Sequence, residues 1–361
     1  MFKGNGISKE QLTDTGEPCI LYGELYTKYK SEVISDIFSK TDIDTRKLVK
    51  SKANDVIIPC SGETAVDIAT ARCVPYDNIL LGGDLNIIRL YDCDGSFMSY
   101  QLNGKRKYDL AKVAQGVSVV HLYGDHLKGV KTYNPCLEEQ KKIAKLLSLL
   151  DERIATQNKI IEDLKKLKSA IIEKLYSEIQ GKEYSYRQLF DVVNERNKQM
   201  EYSNILSASQ EKGMVNRDDL NLDIQFEHSN INTYKIVRKG DYVIHLRSFQ
   251  GGFAFSDKLG VCSPAYTILR PNSLLEYSYL SNYFTSQRFI KSLVLVTYGI
   301  RDGRSINVDE WLRMKITIPP KEHQQYIVKM IGSFDRKIES EEAYTILLSK
   351  QKQYILRQMF I

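Results

Sequence analysis

Six cysteines and five histidines are the side chains of this sequence that could hold a metal or carry thiol chemistry, and their spacing argues against both roles. Cys19, Cys60, Cys73, Cys93, Cys136 and Cys262 include no Cys-x-x-Cys pair and have no histidine beside them at ligand spacing. They are expected as free thiols, with no structural metal. The sequence has no Gly-x-x-x-x-Gly-Lys-Ser/Thr phosphate loop, no Gly-x-Ser-x-Gly elbow, no His-Glu-x-x-His pair, and no glycine fingerprint between a strand and a helix. Asn134-Pro135-Cys136-Leu137 lacks the second proline and the aromatic residue of the Asn-Pro-Pro-aromatic site of amino-methyltransferases, so Pro135 reads as a helix-start device. Asp55 and Glu63 could be arranged into a nuclease-like acidic set, but so could scattered carboxylates in most proteins. The chain is expected not to be an enzyme.

The elements that carry these residues are bounded by length and composition. At 361 residues, and about 150 residues per domain, the chain should form two or three units. Its 42% hydrophobic and 27% charged residues are ordinary for a soluble globular protein. No stretch approaches 18 apolar residues and the opening MFKGNGISKE has no apolar core, so a cytoplasmic location is expected. The 51 basic and 45 acidic residues are spread so evenly that no segment is a basic arm. Such a balance permits nucleic acid as a partner without establishing it.

The strongest organising signal is an internal repeat. A shift of 184 residues pairs Pro135 with Pro319, Glu138 with Glu322, Gln140 with Gln324 and Asp151 with Asp335, without a gap. It continues through Leu164 with Leu348, Lys168 with Lys352 and Ile171 with Ile355. With small gaps, Asp55-Val-Ile-Ile falls opposite Asp241-Tyr-Val-Ile. The chain is therefore a globular unit plus a helix, twice.

Each repeated segment follows a proline, runs about 40 residues without another, and places apolar residues alternately three and four apart. The first stripe is Ile143, Leu147, Leu150, Ile154, Gln157, Ile161, Leu164, Lys168, Ile171 and Leu175. The second is Ile327, Ile331, Phe334, Ile338, Glu341, Thr345, Leu348, Lys352, Ile355 and Met359. This spacing predicts a coiled-coil seam between the two copies, with Lys168 and Lys352 at matching positions able to set register. At 1.5 Å per residue each helix would span roughly 60 Å. The expected fold class is α+β: two loop-rich mixed α/β units, residues 1–134 and 181–320, separated by two long helices, 135–180 and 321–361, forming an antiparallel coiled coil. Val56-Ile-Ile, Ile87-Ile-Arg-Leu, Tyr242-Val-Ile, Tyr266-Thr-Ile-Leu and Lys315-Ile-Thr-Ile read as strands, and Leu280 to Leu293 as a helix.

The duplicated helix start carries a resemblance. Glu138-Glu-Gln-Lys-Lys-Ile143 with Leu150-Asp151-Glu-Arg-Ile154, and Glu322-His-Gln-Gln-Tyr-Ile327 with Phe334-Asp335-Arg-Lys-Ile338, resemble the conserved regions of the specificity subunit of type I restriction-modification enzymes. Tyr22-Gly-Glu-Leu-Tyr26 and Tyr298-Gly-Ile-Arg-Asp-Gly-Arg-Ser-Ile306 add to it, and the likeness covers nearly the whole chain. The resemblance implies two target-recognition domains, each reading one half of a bipartite sequence in double-stranded DNA. It also implies helices that set the spacing and dock two methyltransferase subunits, and an assembly that recruits restriction subunits. The chain itself would need no cofactor. S-adenosylmethionine would belong to the methyltransferase subunits, and ATP and Mg to the restriction subunits.

On that reading the DNA contacts fall on polar and basic loop residues, since phosphate contacts position a protein while Arg, Lys, Asn and Gln read base edges. The candidates are Ser61, Arg72, Lys105, Arg106, Lys107 and Gln115 in the first half, and Arg247, Ser248, Gln250, Tyr298, Arg301 and Arg304 in the second. The second half opens with Tyr186-Arg-Gln-Leu-Phe-Asp-Val-Val193, a segment such domains usually have at their start, and nothing equivalent precedes Phe2. The alternatives for the first domain are that it is truncated, rearranged, or completed by another part of the complex. The rival reading from another class is a coiled-coil scaffold that binds partners without touching DNA.

Overall fold

The computed structural model of the chain describes residues 1–209, 212–219, 228–245, 252–298 and 305–360. They form two compact units, Met1–Ile160 with Glu341–Ile361, and Ile161–Ser340.

In the first unit Phe2–Lys3 (β1), Asp55–Pro59 (β2), Arg72–Val74 (β3) and Leu85–Ile88 (β4) make a four-stranded antiparallel sheet in the order β1-β4-β2-β3. The unbroken apolar run of β2 is explained by cover on both faces. Val56 and Ile58 pack with Ile68, Met98, Leu102 and Leu122, whereas Ile57, on the opposite face, packs with Ile20, Leu25, Ile34 and Ile87. Two helices follow the sheet, Gly95–Asn103 (α1) and Lys107–Lys112 (α2). Asp94 caps α1 by accepting from the Phe97 N–H at 2.8 Å.

The second unit repeats the arrangement. Phe190–Val193 (β5), Tyr242–Ile244 (β6), Phe253–Phe255 (β7) and Thr267–Pro271 (β8) run in the order β5-β8-β6-β7, the same order and connectivity as the first sheet. Lys315–Ile318 pairs with Lys182–Ser185. The core is aromatic: Trp311 is fully buried and stacks on Tyr186 with centroids 4.2 Å apart. The helix expected over Leu280 to Leu293 is interrupted, leaving a 3-10 turn at Tyr283–Thr285 and a helix at Gln287–Ser292. Ser286 restarts the helix, its hydroxyl accepting from the Phe289 N–H at 3.2 Å.

One ion pair recurs in both sheets. Asp55, 1% exposed, lies across from Arg89, whose Nε and a terminal nitrogen donate to its two oxygens at 2.9 and 2.7 Å. Asp241 and Arg270 repeat this at 2.9 and 2.9 Å. Each aspartate also accepts from the backbone N–H three residues before it, Lys52 or Arg238, at 2.8 Å. Asp55 is therefore a structural acid that ties a strand start to its neighbour.

The glutamine repeated at each helix start has an equally definite job. The helices are Leu137–Ser177 (α3) and Lys321–Gln358 (α4). Gln140 is buried; its amide donates to the Pro135 carbonyl at 2.8 Å and accepts from the Asp94 N–H at 2.9 Å. Gln324 donates to Pro319 at 3.0 Å and accepts from the Glu276 N–H at 2.8 Å. Pro135 sits two residues ahead of the first helical residue, so the glutamine, with the proline as its acceptor, fastens the helix start.

The helices run antiparallel within each unit. In the first, Gln157 donates to Glu341, Arg153 lies over the Tyr344 ring, and Lys352 reaches Asp151 at 2.5 Å. In the second, Lys168 meets Asp335 at 2.5 Å. By the repeat Lys168 corresponds to Lys352 and Asp335 to Asp151, so matching lysines bind matching aspartates. Ile143, Leu147, Ile161, Ile327, Ile331, Ile338 and Leu348 are buried, and Leu150, Ile154, Leu164, Ile171, Phe334 and Ile355 are half-buried. Towards the C-terminal ends the inward residues are Ile172, Tyr176, Leu356 and Phe360, one position later than the expected Ile171, Leu175, Ile355 and Met359. A helix of 3.6 residues per turn drifts about 20° per heptad from a strict 3.5 spacing, and over four heptads that moves the inward face by nearly one residue.

Lys352 also binds Glu32 at 2.5 Å, and Asp151 accepts from Tyr100 at 2.8 Å and Ser31 at 2.9 Å. Burial, followed by the Asp151 charge, raises the Tyr100 phenol far above its ordinary range. Lys352→Met removes the cation from buried Glu32 and half-buried Asp151 and should cost about 3–5 kcal/mol in urea unfolding of the full chain. Lys168→Met, whose partner Asp335 is 44% exposed, should cost under about 1 kcal/mol.

Candidate nucleic-acid interface

The candidates of the first unit divide by the element that carries them. Arg72 opens β3 facing inward and is 8% exposed; its terminal nitrogens donate to the carbonyls of Tyr29 at 2.9 Å and Ala71 at 3.2 Å. Ser61 is 9% exposed and donates to Asp84 at 3.3 Å. Lys105 and Arg106 occupy the turn between α1 and α2 and Lys107 opens α2; Lys105 is exposed, Lys107 is half-buried and Arg106 reaches Asp109 at 3.5 Å. That turn starts at Gly104, where a Cβ would lie 2.9 Å from the Leu356 carbonyl of α4. Only glycine lets the end of α1 approach the helix so closely.

Gln115 is exposed at the base of a hairpin and exchanges backbone hydrogen bonds with His121 at 2.9 and 2.7 Å. His121 pairs in turn with Ser61. The structure thereby places Gln115 and Ser61, 54 residues apart in sequence, on one ladder. Between Gln115 and His121, Val117 is 97% exposed at the hairpin tip. Tyr108 and Lys112, exposed one turn apart on α2 beside Lys105, were missed by the sequence reading. The run Lys105-Arg-Lys-Tyr108-x-x-x-Lys112, with an aromatic residue among basic ones, is the signal that could have found them.

In the second unit Tyr298 is 56% exposed, on a short strand whose partner is Ser305–Ile306. Its hydroxyl donates to Glu310 at 2.7 Å, and that hydrogen bond to the carboxylate raises the phenol pKa. Arg247, Ser248, Gln250, Arg301 and Arg304 lie outside the described residues. In sequence, the first three fall between β6 and β7, as Ser61 falls between β2 and β3. The last two follow Tyr298 where, by the repeat, the Gln115 hairpin stands in the first half.

The remaining reactive groups are quiet. Among the described residues no group of three or more His, Cys, Asp or Glu could hold a metal ion. Burial pushes the thiols of Cys19 and Cys60 up to about 11 and those of Cys73 and Cys262 up to about 12, so these four are neutral at pH 7 and behave as small apolar side chains. Cys136 is exposed. What the exposed residues offer is hydrogen-bond donors and positive charge on turns and a hairpin, which suits recognition of an anionic, hydrogen-bonding polymer.

Comparison with known proteins agrees with this arrangement. The family model described as the type I restriction modification DNA specificity domain matches residues 2–166 and again 181–348. The type I restriction enzyme MjaVIII specificity subunit of Methanocaldococcus jannaschii is 25% identical, over 93% of this chain and 84% of its own length. The crystal structure of the S subunit of the type I restriction-modification system from M. genitalium superposes with a TM-score of 0.55 at 16% identity, covering all of this chain and 93% of that one. A structure described as addressing complex assembly and conformational transition of the type I system gives 0.57 at 15% identity, over 90% of this chain and 86% of that one. At these identities the structural likeness shows the fold.

Thiol titration with Ellman's reagent at pH 8 should show Cys136 reacting fast in the native chain. Cys19, Cys60, Cys73 and Cys262 should react only after denaturation, because their neutral, buried sulfurs supply no accessible thiolate.

Proposed function

The chain belongs to the type I restriction-modification DNA specificity family, and from that premise we propose that it reads a bipartite target in double-stranded DNA, one half-site per globular half. Residues 1–134 and 181–320 act as the two target-recognition domains. The helical segments 135–180 and 321–361 set the spacing between half-sites and dock two methyltransferase subunits. The observation that carries this reading is the double match of the specificity-domain family, over residues 2–166 and 181–348. The repeated sheet, with its repeated Asp–Arg pair, supports it: two homologous heads on unlike loops suit two different half-sites.

As a specificity subunit the chain supplies recognition and its partners supply chemistry: methyl transfer from S-adenosylmethionine, and ATP- and Mg-dependent restriction. Exposed apolar side chains on the long helices, Leu149, Leu167, Ile346, Leu347 and Tyr354 among them, support a docking role. No described helix is long and apolar enough to cross a membrane; we assign the assembly to the cytoplasm, where its DNA is.

For DNA contacts in the first half, Lys105 and Gln115 are the foremost of the original candidates because both side chains reach solvent; Tyr108 and Lys112 join them. Ser61 and Arg72 contribute through the fold, since both are buried against protein partners. In the second half Arg247, Ser248, Gln250, Tyr298, Arg301 and Arg304 are the proposed readers. They occupy the connections that correspond to those of the first half.

Three measurements test the reading. Binding profiles over randomised duplexes, with the methyltransferase partner present, should show that Arg304→Ala loses about 1–3 kcal/mol at one position of one half-site and leaves the other half-site's preference intact. Binding that shows no salt dependence, or no DNA binding at all, would favour the scaffold reading, because phosphate contacts release counterions and weaken steeply with salt. The isolated chain should neither methylate nor cleave DNA, and a single-turnover methylation by it alone would overturn the division of labour.

A further inference from the structure

Below the α1–α2 turn the first unit contains a cleft of about 460 Å³, bounded by β3, the end of α1, the start of α2, and the α3 and α4 segments of the same unit. Its wall carries the cations Lys30, Arg72, Lys107, Lys352 and Arg357 against two carboxylates, Glu32 and Asp151. Both carboxylates are taken by Lys352 at 2.5 Å, and their remaining negative charge acts on Arg72. Those four charges balance. Lys30, Lys107 and Arg357 are left on the wall with no carboxylate at ion-pair distance among the described residues, although Asp67 and Glu32 attract Lys107 from farther off.

Two features show that the cleft is set up for a negative guest. Arg72 is more than nine-tenths buried and its Nε–H finds no acceptor among the described residues, although a buried guanidinium nitrogen without one costs free energy. Lys107 is half-buried in the same cleft, and burial, followed by the nearby Arg72, lowers its pKa. Lys107 and Arg72 line the same cleft, and an anion seated beside them would be attracted by both.

We propose that this cleft is a phosphate-binding site that takes the oxygens of a phosphate ester, held by Lys107 and Arg357 at the wall and by Arg72 from behind. A phosphate group offers several acceptor oxygens and up to two charges, matching the Lys107 ammonium and the Arg357 guanidinium on one wall, with the Arg72 charge behind them, better than one carboxylate would. The volume exceeds what one phosphate fills and lies in the range of about 300–1,000 Å³ of small-molecule sites. Ile154, Leu356 and Tyr108 line the rest, leaving apolar wall for the organic part of the ester. The site involves residues of the long helices and the sheet rather than the exposed hairpin, so it stands whether or not the hairpin reads DNA as proposed.

The test uses the full chain with inorganic phosphate as the probe, against sodium chloride at equal ionic strength, read by calorimetric titration and by the phosphorus NMR line width. Phosphate should bind saturably. Lys107→Met and Arg357→Met should each weaken it by about tenfold, the scale of one charge-assisted hydrogen bond. Lys47→Met, an equal charge change at an exposed residue away from the cleft, should leave it unchanged. Lys107→Arg keeps the charge and should retain binding, which separates loss of the site from loss of the fold. No saturable phosphate binding, or equal weakening by Lys47→Met, would overturn the proposal. A short duplex of random sequence then distinguishes the source of the ester. Displacement of phosphate by the duplex, lost in Lys107→Met, identifies a backbone phosphodiester. Phosphate retained alongside bound duplex identifies a small phosphorylated molecule.

Discussion

A helix of 41 or 38 residues with a single apolar stripe cannot stand alone in water, and most of this structure follows from how that stripe is covered. Within each unit a stretch of α3 and a stretch of α4 lie antiparallel, each the cover for the other. Leucine and isoleucine provide the burial, but they do not choose the register, since one apolar turn resembles the next. The charges choose it. A slip of one turn would part Lys352 from Glu32 and Asp151, leaving their largely buried charges uncompensated at several kcal/mol, whereas in register each lysine meets the aspartate that the repeat assigns to it.

The glutamine at each helix start completes the constraint. Gln140 and Gln324 join the helix to the proline before it and to the loop that leaves the sheet, at Asp94 and Glu276. Upstream, Asp55 with Arg89 and Asp241 with Arg270 pin the central strand of each sheet to its neighbour. A chain of specific polar contacts therefore runs from strand to loop to helix in each half, and turns and hairpins grow from that frame. Such a division suits a recognition protein, because loops can change in sequence without disturbing the residues that hold the frame.

Arg72 and Lys105 show how little residue type says about role. Both are basic and both lie in what the sequence presents as loop-rich surroundings. Arg72, at the start of β3, turns its guanidinium inward against main-chain carbonyls, while Lys105 follows the Gly104 turn and reaches solvent. The same contrast separates Gln115, exposed on its hairpin, from Gln101, whose buried amide holds the Tyr133 backbone at 2.6 and 2.7 Å.

The sequence alone determined the duplication, the two long helices and their antiparallel pairing, the matching seam positions of Lys168 and Lys352, and the strands at Val56, Tyr242 and Lys315; the lysines' partners Asp335 and Asp151 came with the fold. It also carried the specificity-subunit resemblance in the two helix starts. These features were legible because each depends on periodicity over a few turns or on agreement between two copies. Tertiary structure decided the rest: the break at Ser286 within a run that looked helical, the one-residue drift of the seam at Ile172 and Leu356, the burial of Ser61 and Arg72, and the ladder that joins Ser61 to Gln115 through His121. Only the fold gathers Arg72, Lys107 and Arg357, drawn from a strand, the start of α2 and the final helix, around one cleft. Which side of a strand faces inward, and which charges converge, is set by contacts between residues tens to hundreds of positions apart, and no local pattern records them.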